Sequence, residues 1–251
     1  MLKTTLSHLL AAVLMAASVS ASAADLTVSA ASSLTNAFKD IATNFEAAHP
    51  EHTIHLNFAG SGELLQQIAK GAPVDVFASA DQETMDKAQA QNLLHNSSRK
   101  DFVQNTLVVI SPRNSLLKLN SLEDLQQPAL QRLAISNPDS VPVGRYSKQA
   151  LLDNNLWAAL SDKMINTQNV RQSLDYVARD EVDAGFVYAT DAAIMADKVQ
   201  VQFTVPLKTV VSYPIAVTQE GSANELSQQF IDFTFNPQSQ AVLSQYGFSQ
   251  P

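Results

Sequence analysis

Residues 26–38 read Leu26-Thr27-Val28-Ser29-Ala30-Ala31-Ser32-Ser33-Leu34-Thr35-Asn36-Ala37-Phe38. Leu26, Val28 and Ala30 alternate as in a strand, whereas Leu34, Ala37, Phe38, Ile41, Ala42 and Phe45 recur at helical spacing. The period changes at Ser32 and Ser33, so a strand delivers two hydroxyls to the start of a helix. First-turn N–H groups have no partner within the helix, and the positive end of its dipole faces the same way, which makes such a start a natural anion site. A serine there also serves as an N-cap, so this motif alone leaves both roles open.

The same grammar recurs. Ile54, Leu56 and Phe58 alternate with Thr53, His55 and Asn57, and Ala59-Gly60-Ser61-Gly62 then opens a helix with Leu64, Leu65, Ile68 and Ala69 on one face. Ser61 is expected at the N-cap, and Lys70-Gly71 with Pro73 ends the helix. Val74 to Ala78 is an apolar run suited to a buried strand, followed by Asp81 at the next helix start. Three such units predict a parallel, doubly wound sheet, with its ligand beyond the carboxyl ends of the strands.

Farther on, Phe102 to Ile110 reads as one long strand closed by Ser111-Pro112, long enough to cross into a second lobe. Ser121 and Asp124 resemble a capping box, and Leu133 to Ile135 and Lys163 to Thr167 read as strands. Val141-Pro142-Val143-Gly144 leads into one helix, and Asn169 caps another bearing Val170, Leu174, Val177 and Ala178. Ala184 to Tyr188 is a further buried strand, with Asp191 opening a helix. Lys208 to Val217 reads as the returning crossover, its Pro214 marking an edge or a bend. Two helices and Tyr246-Gly247-Phe248 then rejoin the first lobe. The expected fold is α/β: two doubly wound, Rossmann-like lobes joined by two crossings, with 24–104 and 212–251 in lobe 1 and 105–211 in lobe 2.

Composition narrows the function. Lys3, the apolar stretch Leu9 to Val19 and Ala21-Ser22-Ala23 form a cleavable signal over 1–23, which predicts export to the periplasm. Without Lys3, 15 basic against 24 acidic residues leave a formal charge of −9, which argues against nucleic acid and against a polybasic membrane contact. No later stretch approaches the ~20 apolar residues of a membrane span. The chain has no cysteine, so neither a disulfide framework nor a lipid on cysteine is expected.

Six motifs in order, Ala30 to Ala37, Phe58 to Gly62, Gly71 to Phe77 with Ser79 to Asp81, Asn137-Pro138 with Val141 to Gly144 and Tyr146, Asn169 to Arg171, and Gly185 to Tyr188, resemble periplasmic molybdate-binding proteins along the whole mature chain. The resemblance implies a type II periplasmic binding protein, a monomer of two lobes that hands molybdate or tungstate to the permease of an ABC transporter without itself being an enzyme. It also implies no separate cofactor and an oxyanion held between the lobes by neutral donors. By position these are Ser33 and Ser61 from the first lobe and Val143, Val170 and Tyr188 from the second, the two valines through backbone N–H. Val143 stands where alanine is common, and Gly60 and Gly62 flank Ser61 where some members have serine.

Other readings are weaker. Gly60-Ser61-Gly62 lacks the G-x-S-x-G elbow of a hydrolase nucleophile. His49, His52 and His55 are evenly spaced as in a metal site, but Pro50 and the strand alternation keep them from converging. No direct metal-cation ligands are therefore expected. Arg145 is expected at the rim, adding field rather than coordination. A different tetrahedral oxyanion, such as sulfate, is the alternative ligand.

Overall fold

A computed structural model describes residues 25–95 and 97–251; the signal segment 1–23 lies outside them. In the first lobe β1 (Asp25–Ala31), α1 (Thr35–Ala48), β2 (Thr53–Ala59), α2 (Ser61–Ala69), β3 (Val76–Ala78), α3 (Gln82–Ala90) and β4 (Lys100–Asn105) follow in order. The chain then builds the second lobe from β5 (Leu107–Pro112), β6 (Leu133–Ser136), α4 (Pro142–Asp153), α5 (Trp157–Leu160), β7 (Met164–Thr167), α6 (Val170–Ala178), β8 (Ala184–Tyr188), α7 (Ala189–Ile194) and β9 (Val199–Thr204). It returns through β10 (Val211–Val217) and ends in α8 (Glu225–Thr234) and α9 (Pro237–Gln245).

Each lobe has a five-stranded sheet, ordered β2-β1-β3-β10-β4 in the first and β7-β6-β8-β5-β9 in the second. The sheets are mixed where the repeated units alone predict parallel ones. β1 runs parallel to β2 and β3, while β10 is antiparallel to both β3 and β4. In the second lobe β6 is parallel to β7 and β8, and β5 is antiparallel to β8 and β9. The reversed strand in each case, β10 or β5, is the one that has just arrived from the other sheet.

The stretch Phe102 to Ile110 is therefore two strands in two sheets, separated only by Thr106. The late strand starts at Val211 and is interior, so Pro214 marks a bend: the register shifts between Tyr213 and Pro214, where the missing N–H can be tolerated. β9 is a strand absent from the sequence reading, although Val199, Val201 and Phe203 alternate with glutamine and threonine.

Burial follows the periods. Phe38, Ile41 and Phe45 of α1 are fully buried, and Phe45 meets Phe230 of α8 edge-on at 5.5 Å between ring centres. The last turn closes as expected: Gly247 has φ +90° and the N–H of Phe248 donates to Leu243 O at 3.1 Å. Gln104 and Ser249 then exchange backbone hydrogen bonds, which ties the carboxyl end of the chain to β4. The carboxyl ends of β1, β2 and β3 and of β6, β7 and β8 all open into helix starts at the cleft between the lobes. No helix among the described residues is long and apolar enough to cross a membrane.

Candidate functional site

Ser33, Ser61, Val143, Val170 and Tyr188 line one small, tight cavity between the lobes, of ≈ 10 Å³. Gly60, Ala80 and Val141 complete much of its wall, and among the described residues no charged side chain lines it.

Neither serine caps a helix. Ser33 lies inside a 3-10 turn, Ser32–Leu34, that feeds α1, and Ser61 is the first residue of α2, with Gly60 at the N-cap position. The N-cap expected of Ser61 is thus filled by a glycine in extended conformation, and the hydroxyl is released for other work. Ser33 Oγ lies 2.9 Å from Tyr213 Oη, and Ser61 Oγ accepts the Ala80 N–H at 3.1 Å. Both serines are buried.

The second lobe contributes main chain. Pro142 occupies the first position of α4 and has no N–H, so Val143 is the first residue there able to donate. At α6 the Asn169 side chain accepts from the N–H groups of Arg171 and Gln172, at 3.0 and 3.1 Å. That leaves the Val170 N–H as a first-turn donor outside the cap. Both valine side chains are themselves buried in the core.

Tyr188 ends β8 with 1% of its surface exposed, and its hydroxyl has no hydrogen-bond partner among the described residues. Burial first, and then the neighbouring Tyr213, push its ionisation well above the usual tyrosine range. The phenol therefore stays protonated, a buried donor facing an uncharged cavity.

Around this cavity the lobes are stitched together. Gly62 N–H donates to Ser140 O at 2.8 Å, and a Cβ on Gly62 would stand 2.5 Å from that oxygen. Arg145 does not line the cavity; its Nε donates to Asp81 Oδ2 at 2.7 Å and its Nη2 to Thr84 Oγ1 at 2.5 Å, both in the first lobe.

Arg171, which sequence reasoning passed over, reaches the first lobe too, donating to Asn36 Oδ1 at 2.8 Å and to Ser33 O at 3.2 Å. Its Nε lies 2.6 Å from the buried Asp191 Oδ1, an ion pair. Burial raises the Asp191 carboxyl to about 6 against the opposing pull of Arg171. Asp191, read as a simple helix opener, thus anchors a cation that spans the cleft. The available signal was position: Arg171 directly follows a residue assigned to the site.

His49 and His55 lie away from the cavity. His49 rests on the Phe45 ring at 4.5 Å between centres, and exposed His55 meets Asp25 at 3.3 Å.

A family model described as bacterial extracellular solute-binding protein matches residues 26–249. The chain belongs to this family. Among relatives of this solute-binding protein, the molybdate-binding protein ModA of Escherichia coli is 37% identical, over 89% of this chain and 88% of that one. A putative ABC transporter substrate-binding lipoprotein of Bacillus subtilis, YvgL, is 31% identical over 89% and 86%. The periplasmic molybdate-binding protein of Azotobacter vinelandii has the same fold, with TM-score 0.79 at 23% identity, over 90% of this chain and 99% of that one. Membership places the chain among binding proteins rather than enzymes.

Proposed function

We propose that this solute-binding protein captures molybdate, and tungstate with it, in the periplasm and delivers it as a monomer to the permease of an ABC transporter. In this reading Ser33, Ser61 and Tyr188 donate through hydroxyls, and Val143 and Val170 through backbone N–H. Residues 24–104 with 212–251 form one jaw and 105–211 the other, with 1–23 removed on export.

The observation that carries the proposal is the buried Tyr188 hydroxyl, which has no partner among the described residues, at a cavity lined by the first residues of α2, α4 and α6 and by no charged side chain among the described residues. An unpaired buried hydroxyl is costly, and an incoming oxyanion would satisfy it. Neutral dipoles suit a chain with a formal net charge of −8, since they act at short range and need no cation. They also favour an anion without a proton. Hydrogen phosphate would bring an O–H needing an acceptor, which the proposed donor set supplies poorly. Sulfate carries no proton and is disfavoured only by its smaller size. The relatives named for molybdate support the choice of ligand.

Calorimetric titration of the exported protein with molybdate, tungstate, sulfate and phosphate tests the proposal. Tight binding of the first two, much weaker sulfate binding and no phosphate binding are expected. Sulfate or phosphate displacing molybdate at comparable concentration would overturn it.

A further inference from the structure

Ser33 and Tyr213, both buried in the first lobe, and half-buried Asn105 at the end of β4 connect the crossing between the lobes to the cavity. Asn105 Nδ2 lies 3.2 Å from Tyr213 Oη, which lies 2.9 Å from Ser33 Oγ. Each oxygen of the pair could in isolation donate or accept. The surroundings remove that freedom.

The Thr106 N–H donates to Asn105 Oδ1 at 2.9 Å, which fixes which end of the amide is oxygen and turns Nδ2 toward Tyr213 and toward Thr190 Oγ1, 2.9 Å away. Tyr213 Oη thus accepts from Asn105. Among the described residues its own proton has one hydrogen-bonding neighbour left, Ser33 Oγ, and turning away from it would leave a fully buried O–H unpaired. Ser33 Oγ in turn accepts from Tyr213 and must direct its proton elsewhere, and the cavity is the space it lines. Burial and the field of Asp191 hold the Tyr213 phenol in its protonated form.

We propose that Asn105 and Tyr213 are positioning residues that set the polarity of the anion site: Asn105 donates to Tyr213, Tyr213 donates to Ser33, and Ser33 is thereby committed to donate to the bound oxyanion. This rests on the proposed oxyanion reading of the cavity and extends it to selectivity. With one lone pair of Ser33 Oγ taken by Tyr213 and its proton turned into the cavity, the hydroxyl is poorly placed to accept the proton of hydrogen phosphate. The Ala80 N–H acts likewise on Ser61 Oγ, through main chain.

A double-mutant cycle tests the relay. Tyr213→Phe is expected to weaken molybdate binding about five- to tenfold and to narrow the preference for molybdate over phosphate, because Ser33 regains a free lone pair. In a Ser33→Ala background the same change should cost less than about twofold, since Tyr213 acts through that hydroxyl. Equal losses in both backgrounds would overturn the relay and leave Tyr213 as packing.

Asn105→Asp replaces the donor by an acceptor and draws the Tyr213 proton away from Ser33. Its loss should shrink in the Tyr213→Phe background, and an unchanged loss would count against the relay as well. A second arm uses no ligand: denaturant unfolding of Ser33→Ala, Tyr213→Phe and the pair should be non-additive, because the two groups share a buried hydrogen bond. Additive unfolding would overturn the bond itself. Wild-type protein that takes up none of molybdate, tungstate and sulfate would overturn the functional reading alone, and the unfolding cycle would still decide the relay.

Discussion

The two lobes meet the cavity with different chemistry. The first presents serine hydroxyls whose oxygens are already engaged, by Tyr213 and by the Ala80 N–H. The second presents first-turn N–H groups at Val143 and Val170 and a phenol, Tyr188, that no described residue engages. A hydroxyl depends on residue identity and on the neighbours that orient it, whereas a backbone donor survives every substitution except proline. The first lobe should therefore be sensitive to what its side chains are, and the second to where its main chain runs.

The contact that brings the two sets together offers the largest effect. Gly62→Val places carbon within 2.5 Å of Ser140 O when the lobes close. Overpacking of this kind typically costs about 1–3 kcal/mol and more against backbone, so molybdate affinity should fall about a hundredfold. The unliganded melting temperature should hold, because valine is at least as good a helix former as glycine. A variant that still compacts on adding ligand, by small-angle scattering, would break the picture of lobes closing on that contact.

Next in size are the hydroxyls of the first lobe. Ser33→Ala and Ser61→Ala each remove a hydrogen bond to a charged ligand, about 1.5–3 kcal/mol, or about ten- to a hundredfold in affinity by calorimetry. Neither hydroxyl caps its helix, but each change leaves a buried donor unpaired, the Tyr213 O–H or the Ala80 N–H, so unliganded stability should also drop by about 1–3 kcal/mol. Wild-type affinity in both would remove the serines from the site.

The second lobe is tested by a pair of substitutions at one position. Val170 is the first residue of α6, where proline fits a helix without strain. Val170→Pro deletes the donor and should cost about tenfold in affinity, while Val170→Ala keeps it and should cost less than about threefold. Equal effects would mean that the side chain, not the main chain, matters there. Tyr188→Phe sits between the lobes' behaviours: about tenfold weaker binding, with unliganded stability kept or raised because the hydroxyl it removes has no partner.

Much of this was legible because it is local. The change of period at Ser33 and the glycines around Ser61 are contiguous signals, and the structure places both serines on the cavity wall. What stayed hidden depends on distant partners. The halves of Phe102 to Ile110 carry the same strand pattern, and only pairing with β10 or with β8 decides which sheet each joins. Tyr213 lies 180 residues from Ser33, so nothing near either residue announces their bond. Arg145 and Arg171 were visible as charges but not as clasps, since their partners Asp81 and Asn36 stand in the other lobe. The alternation of β9, by contrast, was present in the sequence and simply unread.

The single residue between β4 and β5 has a mechanical consequence. Thr106 is a pin, and the six residues 205–210 that lead back to β10 are a strap. Strands joined by a pin can turn about it but cannot slide past one another, because each residue adds only two soft torsions. Thr106 O accepts the N–H of Ala189, and Leu107 pairs with Tyr188, so the phenol sits beside the axle. In a swing of the lobes about this pin a group at the axle barely travels, while groups farther out sweep an arc. Tyr188 would then be the fixed post of the gate, already in place before it shuts.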